Sequence, residues 1–364
     1  RRTRDARPHW RIEGSTAYNT QADFFCIRGV DIPGAGRRLM LEQRDPALVM
    51  LLCVDTPGQG RKLVLSLRNE PGLIGGTNLS STIQSTPANH QRRHGGGATP
   101  FIELVDGPRD GARVLWDCQQ YDWGDCYLGK TKRYLILTVS GPIHLPEGLV
   151  PVDDALAPAL LVSDHLITND LRVCLGAYLA LERFGHAPGA AGEPLVDIDT
   201  IALTPVDLET FRTPGAEVEY RDDAGWGVSY YEVISPTREV PKWRQPLMRT
   251  RSPLTLALGV KRMNGSRAFA VRQATQPGLG GARLWFPAAA ALSNTSRTVA
   301  TSGEGGRFFR RRITLSLASA GGAAEIGPEA ARWVTLADLS RLCLAPRTAS
   351  LELRFLWSLA LSDA

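Results

Sequence analysis

At 364 residues, with 43% hydrophobic and 22% charged residues, the sequence is that of a globular protein longer than one growing core supports, so two domains are expected. Its longest apolar run, Ala47 to Val54, is far too short to span a bilayer, and the arginine-rich first residues have no apolar segment behind them. A cytoplasmic protein, with no membrane partner, is expected. The net charge of +5 suits an anionic ligand, but the lysines and arginines are spread along the chain, which argues against nucleic acid. The six cysteines stand apart without a CxxC pair and read as free, buried thiols.

In chain order, Arg1 to Pro8 reads as a frayed tail, and Phe24 to Val30 as a strand. Ala47 to Asp55 is a second strand that turns at Pro57-Gly58-Gln59-Gly60 into a third, making a hairpin. In that third strand Leu63, Leu65 and Leu67 alternate with Lys62, Val64, Ser66 and Arg68, the period of a strand with one face on a core. Phe101 to Val105, Arg113 to Gln119 and Arg133 to Ser140 read as further strands. Helical signals come late, at Asp153 to Val162 and from an Asn169 cap through Phe184. Residues 186–195 then read as a linker between a first unit, 1–185, and a second, 196–364.

The pattern begins again beyond that linker. At an offset of 206, Phe24 and Phe25 fall on Tyr230 and Tyr231, and Pro71-Gly72 falls on Pro277-Gly278; at 182, Leu171, Arg172 and Leu175 meet Leu353, Arg354 and Trp357. Two tandem copies of one α+β unit are expected.

The densest run of special residues is 61–97. After the strand, Pro71-Gly72 and Gly75-Gly76 set turns, and Thr82, Gln84, Ser85, Thr86 and Asn89 follow as hydroxyl and amide donors, ahead of His90, Arg92, Arg93 and His94. Such a stretch is either an ordinary polar surface loop or a site for a phosphorylated, hydroxyl-rich ligand such as a nucleotide sugar. The corresponding place in the second copy holds Ala288 to Ala291, so copy one is the half expected to surround a reacting group.

Other motifs carry two readings each. Trp243 is either a half-buried core aromatic or a platform for a nucleobase. Gly305-Gly306-Arg307 is either a plain turn or a backbone nest with a guanidinium fork for a diphosphate. The loop histidines His90 and His94 have the pKa range of a general base. Asp117, Asp122 and Glu304 show no spacing that marks a catalytic pair, and the histidines are too dispersed for a metal site.

The run Glu70-Pro71-Gly72, then Ser80-Ser81-Thr82-Ile83-Gln84-Ser85-Thr86, Asn89 and His94-Gly95-Gly96, resembles the signature of the NDP-hexose 2,3-dehydratases of deoxysugar biosynthesis in antibiotic pathways. Trp243-Arg244-Gln245-Pro246-Leu247 and the run Ser302, Glu304, Gly305, Gly306, Arg307 and Phe308 resemble the family's second-half segments, and Gln120 to Asp125 with Lys130 and Arg133 their first-half counterpart. The tyrosine usual after the loop asparagine is His90 here.

The resemblance implies a tandem duplication of a Nudix-like sheet-plus-helix domain, without the glutamate-rich metal helix of a hydrolase. It implies a homodimer acting on a dTDP-sugar. Water is lost from dTDP-4-keto-6-deoxy-D-glucose, and a downstream 3-ketoreductase uses the product. No redox cofactor or metal is required. His90, His94 and Gln84 become catalytic candidates. Thr82, Ser85, Thr86, Asn89, Arg133, Trp243, Gln245, Ser302, Glu304, Gly305, Gly306 and Arg307 become substrate-binding candidates. The competing expectation is a non-catalytic nucleotide-sugar-binding duplicate or partner subunit.

Overall fold

The structure, a computed structural model, describes residues 10–20, 25–43, 45–58, 60–91, 98–106, 111–185, 203–213, 219–234, 242–250, 252–289, 295–319 and 331–363. It is a mixed α+β protein with several sheets and few helices. In chain order the first part has β1 (Trp10–Glu13), β2 (Thr16–Asn19), β3 (Cys26–Ile32), β4 (Gly36–Glu42), β5 (Ala47–Thr56), β6 (Gly60–Arg68), β7 (Asn78–Ser80) and β8 (Ile83–Ser85). It continues with α1 (Pro87–His90), α2 (Glu103–Asp106), β9 (Ala112–Tyr121), β10 (Tyr127–Leu128), β11 (Thr131–Ser140), β12 (Leu149–Asp153), α3 (Ala157–Leu161) and α4 (Asn169–Phe184). The second part has β13 (Thr204–Pro205), β14 (Tyr220–Arg221), β15 (Trp226–Ile234), β16 (Lys242–Thr250), β17 (Leu254–Met263), β18 (Ser266–Ala274) and β19 (Leu284–Pro287). It closes with β20 (Thr295–Ser302), β21 (Arg312–Ser319), β22 (Arg332–Thr335), α5 (Leu336–Leu344) and α6 (Leu351–Leu361).

Two sheets share one pattern. The first has strand order β12-β6-β5-β11-β9, and in the second β22 and β17 both pair with β18, and β21 lies between β17 and β20. In each, one pair is parallel, β5 with β11 and β17 with β21, and the other pairs are antiparallel. The closing helices start alike: the Thr168 hydroxyl accepts from Leu171 N–H before α4, and the Ser350 hydroxyl accepts from Leu353 N–H before α6. The hairpins that precede these sheets also correspond, but not at the expected spacing for Phe25. Ile27 faces Leu41, and Val228 faces Met248. Leu41 and Met248 are the residues that bridge in parallel to Tyr127 and Phe308.

The strand from Gly60 to Arg68 departs from a one-sided pattern. Leu63 and Leu65 enter the large core, Val64 is buried in a second apolar cluster on the other face, and Leu67 is 52% exposed. A sheet covered on both faces erases the expected alternation. The predicted strand Phe101 to Val105 is a turn at Phe101 followed by the single-turn helix α2. Its apolar residues pack on that second cluster, and a short apolar run does not distinguish strand from helix. Asp153 to Val162 is helical only from Asp154, the preceding residues being β12.

The large apolar cluster runs through both parts, from Leu39 and Leu51 to Leu315 and Trp357, with α4 against α6 and Gly176 seated on Ser358. The proposed linker, 186–195, lies outside the described residues. Beyond it, β13 pairs with β3, and Val206 N–H donates to the Gly29 carbonyl (3.0 Å), so chain following the proposed linker extends the separate sheet of β1, β2, β3 and β4. Cys53, Cys118, Cys126, Cys174 and Cys343 are buried and none of the described cysteines is in a disulfide. No described helix is long and apolar enough to cross a membrane.

The two Pro-Gly turns lock the parts together. Gly306 N–H donates to the Pro71 carbonyl (2.8 Å) and Arg310 N–H to the Gly72 carbonyl (2.7 Å). In the reverse sense, Gly278 N–H donates to the Gly124 carbonyl and Gly129 N–H to the Gly278 carbonyl, both at 2.7 Å. A Cβ on Gly72 would overlap the carbonyl oxygen of Phe308, and one on Gly278 that of Tyr127. Backbone has little room to retreat, so Gly278→Ala is expected to lower unfolding stability by about 3 kcal/mol, the upper end for overpacking. Urea denaturation measures this; an unchanged midpoint would mean that the clasp is slack.

Candidate active site

The loop after β20 crosses to the first part because the Pro71-Gly72 turn holds it there, and it delivers Ser302 to Gly306 over the start of α4. The period of two in β11 turns Lys132 and Tyr134 towards α4. Arg133 lies on the other face, paired with Asp117 at 2.7 Å. Asn169 and Asp170 open α4, and Asn169 is tied to the crossing strand, donating to the Ser302 carbonyl (2.7 Å) and accepting from Thr301 (2.8 Å).

These elements bring three carboxylates around two ammonium groups. Lys130 Nζ lies 2.9 Å from Asp122 and 3.3 Å from Glu304. Lys132 Nζ lies 2.9 Å from Asp170, 3.3 Å from Asp122 and 3.5 Å from Glu304. Tyr134 donates to Asp170 Oδ1 (2.9 Å), Gln84 Nε2 to Asp170 Oδ2 (2.6 Å), and Tyr127 to Glu304 Oε2 (3.2 Å). The Gln84 amide is itself oriented, since its Oε1 accepts from Ser80 (2.7 Å), which accepts in turn from Thr168 (3.2 Å). A cavity opens beside this cluster, lined by Glu70, Gln84, Lys132, Asn169, Asp170 and Glu304 among others.

Burial pushes the Asp122 and Glu304 carboxyls up, but Lys130 and Lys132 outweigh it and hold both below the usual range. Burial also raises Asp170, and there the Lys132 charge does not fully compensate, so its carboxyl stays above the ordinary value. Lys132 would be lowered by burial, yet Asp122, Asp170 and Glu304 raise it well above a free lysine. The site therefore presents an ionised carboxylate, Glu304, next to a permanently charged donor. The hydrogen bonds to the Glu304 carboxylate found among the described residues fall on Oε2. A carboxylate and an ammonium so placed can take a proton from carbon and meet the negative charge that develops.

The structure assembles only part of the expected residue set here. Gln84, Ser302, Glu304 and Gly305 line the cavity. Thr82 is committed to the sheet, accepting from Leu52 N–H and donating to the Val64 carbonyl. Ser85 donates to the Thr86 carbonyl, Thr86 precedes α1, Asn89 is exposed and His90 is partly buried on that single turn. His94 lies outside the described residues. Gly306 is not an open nest, because its N–H is bonded to Pro71. Ala288 pairs with Ala270 and Gly259 through its backbone, and 290–294 lie outside the described residues.

A second group gathers the remaining candidates. Trp243 Nε1 donates to Gln245 Oε1 (2.9 Å), and Gln245 Nε2 to the Gly306 carbonyl (2.9 Å). Arg307 stacks over Phe25 at 4.1 Å and donates to Gln43 Oε1 (3.2 Å). Arg307 Nε and Gln43 Nε2 are buried with no hydrogen-bond partner among the described residues. Unflagged in the sequence were Lys132, Asp170, Tyr127 and Tyr134. One signal was available: Lys130, Lys132 and Tyr134 recur with period two beside an apolar strand run, placing charge on an inward face.

Asp122 and Glu304 titrate lower in the folded chain than in the unfolded one, so the stability they contribute is complete above about pH 4 and is lost as pH falls. Asp170, raised, contributes in the opposite sense, its share declining as pH rises through its folded value. Asp122→Asn is expected to cost about 3 kcal/mol at neutral pH, because it leaves buried ammonium groups short of a partner. That deficit should shrink below about pH 4, where the unfolded aspartate protonates. A deficit independent of pH in urea titrations would contradict the assignment.

Residues 3–177 match the family model described as NDP-hexose 2,3-dehydratase. The chain is 28% identical over 235 residues to a Streptomyces violaceoruber protein named dTDP-4-dehydro-6-deoxy-alpha-D-glucopyranose 2,3-dehydratase, covering 57% of this chain and 52% of that one. It is 25% identical over 295 residues to a Saccharopolyspora spinosa protein of the same name, covering 70% and 60%. The chain thus spans about half the length of the curated relatives it matches. A Nudix hydrolase structure from M. smegmatis, RenU, aligns over 35% of this chain and 81% of its own, with a TM-score of 0.23 and 17% identity, too low to bear on the fold. The family match over residues 3–177 and the curated relatives agree with the resemblance carried by the sequence motifs and support the NDP-hexose 2,3-dehydratase family.

Proposed function

We propose that the chain removes water from an NDP-4-keto-6-deoxyhexose, with dTDP-4-keto-6-deoxy-D-glucose as substrate, and that the reaction takes place at the Glu304–Lys132 seam. The observation that carries this reading is the ionised Glu304 carboxylate beside Lys132 at the cavity wall. The hydrogen on carbon 3 is acidic because the 4-keto group stands next to it. Glu304 Oε1 takes that proton, and the electron pair of the broken C–H bond moves onto the carbonyl oxygen as an enolate. Lys132 meets the charge, in a site where burial strengthens the interaction. The enolate then expels the carbon 2 hydroxyl, which leaves as water with a proton from the cluster. The resulting enol tautomerises to the 3,4-diketo-2,6-dideoxy sugar, which a 3-ketoreductase consumes. The histidines of the sequence reading are not needed as the base.

The nucleotide diphosphate belongs beside Arg307 on the same reading. Its planar fork is stacked and oriented, and Arg307 Nε with Gln43 Nε2 supply buried donors that lack an acceptor. Trp243 and Gln245 flank that place. The shared strand orders, helix caps and reciprocal Pro-Gly clasps support tandem duplication, with units 1–185 and 196–364 that each need the other to complete a site. A Nudix-like form for each unit is what the family resemblance implies.

Glu304→Gln keeps the shape and removes the base. With dTDP-4-keto-6-deoxyglucose and a coupled 3-ketoreductase, mass spectrometry should show water loss slowed by about a hundredfold or more, the scale of a general-base contribution. Binding of dTDP should stay within about twofold of wild type, since uniform binding is untouched. Arg307→Lys should show the converse, a raised dTDP dissociation constant with turnover at saturation largely kept. Tight dTDP binding without water loss in the wild-type chain would favour the binding-module reading.

A further inference from the structure

Tyr127 is buried, and the machinery just described leaves its role open. Its ring lies 4.0 Å from the Lys130 ammonium, and its hydroxyl donates to Glu304 Oε2 at 3.2 Å. In the second part Phe308 occupies the matching place: Tyr127 pairs in parallel with Leu41 of β4, and Phe308 bridges in parallel to Met248 of β16. The two rings meet edge to face, with centroids 6.0 Å apart at 87°. The clasp therefore asks for an aromatic ring at this position, and Phe308 meets that demand without a hydroxyl. A buried phenol is costly unless its hydroxyl is bonded, and here the partner is the carboxylate that the second part delivers.

We infer that Tyr127 is a positioning residue for this reaction: its hydroxyl holds Glu304 by Oε2 and so turns Oε1 to the cavity. The inference rests on the reading of Glu304 as the base. The Tyr127 main chain is itself fixed by Gly278, so the turn of one part sets the residue that aims the other part's carboxylate. The charged groups facing Glu304 are Lys130 and Lys132 from β11 and the residue before it, Asp122 from the loop after β9, Asp170 from α4, Arg307 from its own loop, and Glu70 from the turn under Gly305. Losing the phenol removes a donor to the ionised form while both lysines remain. The carboxyl must then titrate at higher pH.

Tyr127→Phe reproduces the ring that the other part already uses, so the fold is kept. Its kcat should fall about tenfold, the scale of a hydrogen bond to a charged group, with KM within about twofold. The acid limb of the kcat/KM profile should move up by about one pH unit. The double variant Glu304→Gln with Tyr127→Phe should be no slower than Glu304→Gln alone, because both act through one carboxylate. A Tyr127→Phe enzyme with the wild-type kcat and acid limb, beside an inactive Glu304→Gln enzyme, would overturn the inference and leave the base reading standing. A rate loss with an unmoved acid limb would also overturn it. A fully active Glu304→Gln enzyme would overturn both.

Discussion

A carboxylate cannot be taken out of water without cations and donors to replace the water, and the described groups bonded or ion-paired to the Glu304 carboxylate, Tyr127, Lys130 and Lys132, come from the other part of the chain. Lys130 and Lys132 in turn need more anionic charge than Glu304 supplies, which Asp122 and Asp170 provide. The cluster holds one more carboxylate than ammonium groups, and the excess is expressed at Asp170, whose carboxyl is pushed up while the other two are held down. The rest of the structure keeps this arrangement from dispersing. The Pro71-Gly72 clasp fixes where the crossing loop runs, the Pro277-Gly278 clasp fixes the loop that carries Tyr127, the α4 cap fixes Asp170, and the bonded chain Thr168, Ser80, Gln84 fixes the amide that faces it.

On the proposed reading, the same geometry lets the two ends of the crossing loop serve different chemistry. Glu304 points into a buried, charge-compensated place where a small change in charge is strongly felt, as an enolate requires. Three residues on, Arg307 lies over Phe25 with its Nε unmatched among the described residues, which suits a phosphate contact. Gly305 is the hinge of close approach between them, since a Cβ there would run into Glu70 and Leu73. Proton chemistry and nucleotide holding can thus be neighbours without sharing a side chain.

Much of the scaffold was legible because it is local. The β5–β6 hairpin, β9, β11 and α4 all follow from alternation, turns and a cap within a few residues. Phe101 to Val105 failed because four apolar residues around Glu103 are too short a run to carry a period, and Leu67 failed because the sheet is covered on both faces. The site was legible only at its edges. Gln84 and Glu304 sat in recognisable runs, but Lys132 and Asp170 lie 38 residues apart, and Lys132 and Glu304 lie 172 apart. No spacing rule reaches that far. What made the polar loop conspicuous, its many hydroxyls, proved in Thr82 and Ser85 to be internal bonding of a buried strand. The carboxylates seemed ordinary because burial, which gives them meaning, is a property of the fold.

The central claim is that the reacting sugar lies at the seam between the two parts. The most direct measurement is a crystal structure of the slow Glu304→Gln variant soaked with dTDP-4-keto-6-deoxyglucose. The account predicts carbon 3 of the hexose within hydrogen-bond reach of the residue 304 side chain, the 4-keto oxygen on Lys132, and the diphosphate beside Arg307. A hexose held instead against Asn89 and His90, with the Glu304–Lys132 cavity empty, would contradict it.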